Sequence, residues 1–147
     1  MPRRPLALLA ALLVACDPTG TPVVDLAVST DHSSYAAPAP DAPTPIRLVL
    51  ENTGREPLEI GRCRANLSVS VDRLVDSRWQ EVAPYATLCL AAYDMSPLQL
   101  APGAIITTDP MFVSSGRYRF RVPYGPVAGP ADARLAVSNE AVVAPPP

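Results

Sequence analysis

The sequence has no lysine, a single histidine and no apolar run long enough to cross a membrane. All 12 basic residues are arginine, set against 14 acidic residues, so the net charge is −2. Nucleic acid requires a concentrated basic face, and this balance argues against such a partner. The single histidine, His32, stands in a proline-rich stretch without the nucleophile that a catalytic triad needs. We therefore predict a protein that is not an enzyme, with no catalytic residue, no metal site and no cofactor.

The longest uncharged apolar run is Leu6 to Ala15, and it follows Arg3 and Arg4. Ten residues of helix span about 15 Å, half of the roughly 30 Å hydrocarbon core of a bilayer. A basic start followed by a short apolar run is typical of a secretory signal rather than of a membrane span. The sequence thus predicts an exported protein.

The run ends in Leu13-Val14-Ala15-Cys16, which resembles the lipobox of bacterial lipoproteins. In that family the cysteine is acylated and becomes the new N-terminus. The resemblance implies a signal peptide over residues 1–15, lipidation of Cys16 and a short tether over 16–22. Removal of the signal leaves 10 arginines against 14 acidic residues, so the acyl chains rather than surface charge would hold the protein on the membrane.

Two cysteines, Cys63 and Cys89, are left once Cys16 is assigned to the anchor. An even pair in an exported protein favours a disulfide between them. Closing a loop of about 27 residues would contribute roughly 3.5 kcal/mol in the chain-entropy description. The alternatives are a metal site or two free buried thiols, and the absence of a Cys-x-x-Cys spacing disfavours the first.

Short segments of alternating apolar and polar residues recur along the rest of the chain, and no helical period is present. The alternation predicts a single all-β domain over 23–144, an immunoglobulin-like antiparallel β-sandwich of about seven to eight strands, followed by a proline tail at 145–147. Proline-rich residues 31–45 and residues 84–102 are predicted to be loops. The predicted strands are Val23–Thr30, Ile46–Asn52, Leu58–Ile60, Asn66–Asp72, Trp79–Val82, Ile105–Val113, Arg117–Val122 and Leu135–Val143.

Two resemblances bear on this domain. Gly116-Arg117-Tyr118-Arg119-Phe120 resembles the sixth strand of immunoglobulin-like domains, where a tyrosine stands two residues before the core position. Leu48 to Gly54, Leu100-Ala101-Pro102-Gly103 and Gly116-Arg117-Tyr118 are together similar to the domain family named for the Bacillus intracellular proteinase inhibitor, the BsuPI type. That likeness covers roughly residues 23 to 124 and implies proteinase inhibition as an alternative function.

Arg117, Arg119 and Arg121 alternate with apolar residues, which places three guanidinium groups about 7 Å apart on one outer face. We expect this set, helped by Arg134 if the last strand lies alongside, to be a candidate surface for an anionic partner. The alternative is a solvated face on which each arginine pairs with an acidic residue of a neighbouring strand. Trp79 is expected to cap the core, and the alternative is an aromatic contact surface made by Trp79, Tyr85 and Tyr93.

Together these features predict a lipoprotein that is anchored in a bacterial cell envelope through its N-terminal acyl chains. Its immunoglobulin-like domain would act as a binding or interaction module. The expected partner is an envelope protein or an anionic polymer.

Overall fold

The structure is a computed structural model, and it describes residues 25–36, 42–63, 66–82, 96–127 and 133–145. Within these ranges the regular structure consists of β-strands, and no helix is long and apolar enough to cross a membrane. The signal peptide, Cys16 and the tether lie outside the described residues. The strands are β1 (Leu26–Thr30), β2 (Ser34–Tyr35), β3 (Thr44–Ile46), β4 (Leu48–Asn52), β5 (Leu58–Ile60), β6 (Arg62–Cys63), β7 (Asn66–Leu67), β8 (Ser70–Val75), β9 (Arg78–Val82), β10 (Leu98–Leu100), β11 (Ile105–Thr107), β12 (Met111–Val113), β13 (Gly116–Pro126), β14 (Arg134–Val137) and β15 (Ala141–Val143).

The first sheet has β4 at its centre, with β1 and β11 antiparallel on either side. Leu48 and Leu50 of β4 are fully buried, and Leu26 and Val28 of β1 lie on the same inner face. Their partners in register confirm the alternation read from the sequence, since Leu26 stands opposite Asn52 and Val28 opposite Leu50. A short antiparallel pair, β3 with β12, stands apart from this ladder.

The second sheet is built around β13, an 11-residue strand. It pairs antiparallel with β8 on one side and with β14 and β15 on the other, and its last residues pair with β5. β9 adds to the edge of β8, β10 adds to β5, and β2 runs parallel to β15. The long strand is thus the element that places most of this sheet.

The strand order is that of an immunoglobulin-like sandwich. One sheet consists of β1, β4 and β11, which correspond to strands A, B and E of that fold. The other contains β9, β8, β13 and the seventh and last strand, β14 with β15, which correspond to C′, C, F and G. A single hydrophobic cluster joins the inner faces, from Leu26, Leu48 and Leu50 on one side to Phe120 and Val122 on the other. The predicted fold class is confirmed.

Asn52 closes the strand–turn corner by its side chain. Neither Asn52 nor Gly54 has a positive φ, which among the described residues occurs at Asp76, Ser77, Gly103 and Gly116. Instead the buried Asn52 amide donates to the carbonyls of Glu56 and Leu100, both at 2.8 Å, and accepts from the amide N–H of Gly54 at 2.9 Å. A buried amide with these contacts fixes the corner.

Four predicted strands are interrupted. Asn66–Asp72 breaks at 68–69 between β7 and β8, and Ile105–Val113 breaks at 108–110 between β11 and β12. Ile46–Asn52 breaks at Arg47. The Arg47 carbonyl accepts from the Asp31 N–H at 2.9 Å, and the Arg47 N–H donates to Asp31 Oδ1 at 3.1 Å. The last breaks between β14 and β15, where the Ser138 hydroxyl accepts from the Phe120 amide N–H at 2.9 Å. Three strands were missed because they lie in the segments predicted as loops: β2 and most of β3 in 31–45, and β10 in 84–102.

Candidate functional site

The arginine ladder, Arg117, Arg119 and Arg121, lies on the outward face of β13. The residues between, Tyr118, Phe120 and Val122, are buried, so the predicted alternation is confirmed. The Tyr118 hydroxyl lies 3.1 Å from the hydroxyl of Ser114 just upstream, in the manner of a tyrosine corner. Because successive side chains of a strand alternate, the ladder faces away from the core.

Asp72 of β8 is the centre of the charge arrangement. It stands directly opposite Arg119 in register, and its side chain is only 5% exposed. Arg119 donates from Nε to Oδ2 at 2.8 Å, and Arg121 donates from Nε to Oδ1 at 3.0 Å. Each carboxylate oxygen therefore receives one guanidinium, and the buried charge of Asp72 is balanced.

The remaining contacts neutralise the face. Arg121 also donates to Glu81 of β9 at 2.6 Å, a hydrogen bond that raises the pKa of Arg121. Arg117 makes a two-point contact with Glu140, with Nη2 donating to Oε2 at 2.9 Å and Nε to Oε1. Those hydrogen bonds lower the pKa of the Glu140 carboxyl and raise that of Arg117. The geometry is that of the alternative expected from the sequence, an arginine face paired with acidic neighbours, and partner binding by the ladder stays a prediction.

Trp79 lies on the outer face, where the Arg119 guanidinium carbon stands 4.7 Å from its ring centroid. The expectation that Trp79 caps the core was wrong. Its strand partner is Leu74, and the pairs around it place Asp72 and Glu81 on the same side. Arginine over a tryptophan ring is a favourable cation–π contact, which holds the Arg119 side chain flat against the sheet.

Arg134 does not join the ladder. It stands opposite Tyr124, so it shares the inward side of β13 with Tyr124 rather than the side of Arg121. Arg134 instead forms an ion pair with Asp25, the residue before β1.

An apolar row borders the ladder on the side of β14 and β15. It consists of Leu135, Val137 and Val142, which are 50%, 47% and 40% exposed. Val137 stands opposite Arg121, and Val142 opposite Arg117. The residues that alternate with the row, Ala136, Ala141 and Val143, are buried, so this strand is apolar on both faces.

A depression of about 480 Å³ continues the outer face beyond the ladder. Gly61 and Gly125 contribute no side chain to it, and Pro97, Pro123 and Val127 line it. Proline and valine make the surface apolar, while the glycines leave it open. Pro123 is the next outward residue of β13 after Arg121 and links the depression to the ladder. We call the ladder, the row and the depression together the outer face.

His32, Asp31 and Tyr35 form a separate cluster in the predicted loop. The Tyr35 hydroxyl donates to Asp31 Oδ1 at 2.5 Å and accepts from the His32 amide N–H at 3.0 Å. Burial together with the Asp31 hydrogen bond raises the pKa of Tyr35 to about 12. Burial raises the Asp31 pKa, but the hydrogen bonds from Tyr35 and the Arg47 N–H outweigh it, so the net shift is downward. The His32 ring packs edge-on against Tyr35, which is a packing role.

Two predicted sites lie outside what the structure describes. Cys16 and Cys89 are not among the described residues, and Cys63 is described through its backbone alone, in β6. Lipidation and the disulfide therefore stay predictions. Within the described ranges no group of three or more His, Cys, Asp or Glu residues is placed to hold a metal ion.

Sequence reasoning missed Asp72 and Tyr124 as members of a site. The alternation around β8 gives the face of Asp72, but its partners come from strands about 50 residues away, and only the register of β8 against β13 brings them together.

No protein-family profile matches the chain, and no curated protein matches it. Among solved structures, the chain is similar to the ASH/PapD-like domain of human CEP192 (PapD-like domain 7). That likeness has 17% sequence identity and a TM-score of 0.42, and it covers 99% of this chain and 100% of that one. At that TM-score it carries no argument, and the fold assignment here comes from the strand order.

Proposed function

We propose that this protein is an exported, lipid-anchored envelope protein whose immunoglobulin-like domain binds a partner protein through the outer face. The observation that carries the proposal is the seventh strand, β14 and β15, which is apolar on both sides. Leu135 and Val137 are about half exposed while Ala136 between them is buried. A strand that is apolar on both faces is typical of one covered on both sides.

The charges of the face fit a protein partner better than a polyanion. Three arginines are matched by Asp72, Glu81 and Glu140, so the ladder presents little net positive charge. Arg117, whose side chain is 54% exposed, retains N–H groups at the border of the face. An apolar row beside paired charges resembles the apolar centre and polar rim of protein interfaces.

Crosslinking in intact cells tests the surface. A photo-crosslinking amino acid in place of Val137 is expected to give a product of discrete mass, and Leu135→Ser is expected to remove it. Ile105 of the first sheet, 61% exposed, is the matched control position, because a crosslinker there should give no such product. Equal products from both positions would contradict the proposal.

The salt dependence of capture distinguishes an anionic polymer from a protein as the partner. If the ladder grips a polyanion, Arg117→Gln should weaken capture of anionic envelope polymer, and capture should decline steeply with ionic strength. If the partner is a protein held by the row, Leu135→Ser should weaken capture more than Arg117→Gln does.

The anchor and the alternative function have their own tests. Cys16→Ser should abolish labelling by a clickable fatty acid, because serine cannot supply a thioether, and equal labelling of both forms would contradict the anchor. If the alternative function holds, the protein should slow at least one enzyme of a serine protease panel. Inhibition that persists in Leu135→Ser would be independent of the outer face.

A further inference from the structure

A second cavity lies at one end of the sandwich, and it shares Tyr124 and Pro126 with the depression of the outer face. Its volume is about 440 Å³, and it lies where β1 begins and the inward side of β13 ends. Pockets of this size hold small organic ligands. The residues that matter are Asp25, Arg55, Glu56, Leu58, Tyr124 and Arg134.

Tyr124 is the least expected lining residue. It is 4% exposed, yet its hydroxyl has no hydrogen-bond partner among the described residues. Buried tyrosine hydroxyls ordinarily find one. Within the same ranges, the fully enclosed side-chain polar atom that lacks a partner is Thr44 Oγ1, so the Tyr124 hydroxyl is accessible where Tyr124 lines this cavity and the neighbouring depression. It is a donor held in place by a buried ring.

Two guanidinium groups stand at the same cavity. Arg134 directs Nη1 to Asp25 and keeps further N–H groups, and its side chain is 48% exposed. Arg55 lines the cavity, is exposed, and makes no ion pair with another described residue. A guanidinium matches the two oxygens of a carboxylate in geometry and charge.

The acidic and apolar residues that line the cavity further restrict the class of ligand. Asp25 is already engaged by Arg134, Glu56 is exposed, and Arg55 is the lining arginine that has no ion pair with another described residue. Leu58 and Pro126 give the cavity an apolar wall. A carboxylate with a short uncharged body satisfies all of these groups at once.

We propose that this cavity binds the carboxylate of a small ligand, with Arg55 and Arg134 on the carboxylate oxygens and the Tyr124 hydroxyl as a third donor. The carboxylate comes either from a peptide C-terminus or from a small organic acid. The site borders the depression of the outer face through Tyr124 and Pro126, but its ligand, a carboxylate, differs from the protein partner proposed for the apolar row.

The test is an amide chemical-shift titration of the full-length, ¹⁵N-labelled chain in detergent. The probes are N-acetyl-trialanine, its C-terminal amide, and hexanoate. The free-acid peptide or hexanoate should shift the amides of Gly54 and Arg55, and the peptide amide should bind about tenfold more weakly or worse. Binding of the peptide alone identifies a chain end as the ligand, and binding of both acids identifies the carboxylate itself.

Single substitutions locate the contacts. Tyr124→Phe removes one oxygen and keeps the ring, so affinity should fall by about three- to tenfold without loss of fold. Arg55→Gln, at an exposed position that folding does not need, should weaken binding and flatten its salt dependence. Arg78→Gln makes the same chemical change on the β8–β9 hairpin, away from the cavity, and should leave affinity unchanged. Equal affinity for acid and amide, or wild-type affinity in both Tyr124→Phe and Arg55→Gln, would overturn the proposal.

Discussion

At the scale of single residues, Asp72 decides how the ladder is held. Its side chain is 5% exposed and receives one hydrogen bond from each of two arginines. Asp72→Asn removes the charge and keeps the shape of the side chain, but it turns one acceptor oxygen into an N–H₂ group that faces a guanidinium. A buried charge pair that loses one partner is costly, because the other partner stays desolvated.

We therefore expect Asp72→Asn to lower the free energy of unfolding by about 1 to 3 kcal/mol, measured by urea denaturation at neutral pH. Glu81→Gln is the matched control, since Glu81 meets Arg121 alone and is 48% exposed, and its effect should be clearly smaller. Equal effects of the two substitutions would show that burial of Asp72 does not matter.

Asp31 and Tyr35 couple stability to pH. The Asp31 pKa is lowered in the folded state, so its contribution is present above the unfolded pKa of about 3.9 and is lost as pH falls. The Tyr35 pKa is raised from 10 to about 12, so its contribution is present below 10 and is lost as pH rises through about 12. The pair therefore stabilises the fold most between those limits.

The expected result of Asp31→Asn is a stability difference from wild type that is largest near neutral pH and shrinks towards both extremes. Thermal melts at about pH 3, 7 and 11 measure it. Tyrosinate absorbance should also show one tyrosine titrating at lower pH in the variant. A difference that stays constant with pH would exclude an ionised Asp31 as the partner of Tyr35.

The sequence predicted the ladder and its face but not its partners. Period-two alternation fixes the side on which Arg119 lies, because strand side chains alternate. Trp79 was assigned to the wrong face, since its neighbours do not alternate clearly and its face depends on the register with Leu74. The same holds for Tyr124 and Arg134, which register alone brings together.

At the scale of elements, the β8–β9 hairpin shows a turn under mild backbone cost. Asp76 and Ser77 have φ of 47° and 63°, both in the left-handed region, as a two-residue type I′ turn requires. Aspartate tolerates this conformation better than serine does, and glycine adopts it freely. The turn lies in the gap between the predicted strands Asn66–Asp72 and Trp79–Val82.

Ser77→Gly should raise the free energy of unfolding by about 0.5 to 1 kcal/mol, because Asp-Gly is a preferred type I′ pair. Chemical denaturation measures it. Ser29→Gly in β1 is the control of opposite sign: Ser29 is exposed on a strand with ordinary φ, so glycine there should destabilise through added backbone entropy. The interpretation of the turn fails if Ser77→Gly is also destabilising.

Strands whose alternation is clear were predicted, and strands that depend on a distant partner were missed. Leu58–Ile60 was predicted with its observed bounds. β10 has only three residues and pairs with β5 from far along the chain, so its local pattern is too short to distinguish it from a loop. β13 runs past its predicted end because β5 and β14 offer ladder partners there.

At the scale of the whole molecule, the number and order of strands predicted an antiparallel sandwich. Composition could not give the crossing of strands between sheets. That order depends on which inner faces bury one another, and the single cluster around Phe120 is the result. The cavity at Tyr124 belongs to the same level, because residues that flank the first sheet and strand residues of the second sheet form it together.

The disulfide prediction is also a property of the whole fold. Cys63 is three residues beyond Ile60, and Ile60 is paired with Leu98, which stands nine residues after Cys89. Nine residues span at most about 32 Å, so the pairing of β5 with β10 already keeps both cysteines within reach. The bond would then restrict chiefly the unfolded chain, in which a loop of about 27 residues would otherwise be open.

Reduction of the disulfide in the Cys16→Ser protein is expected to lower the free energy of unfolding by about 2 to 4 kcal/mol. The Cys16→Ser, Cys63→Ser, Cys89→Ser variant should not respond to reductant. Two titratable thiols in the denatured, unreduced Cys16→Ser protein would contradict the pairing.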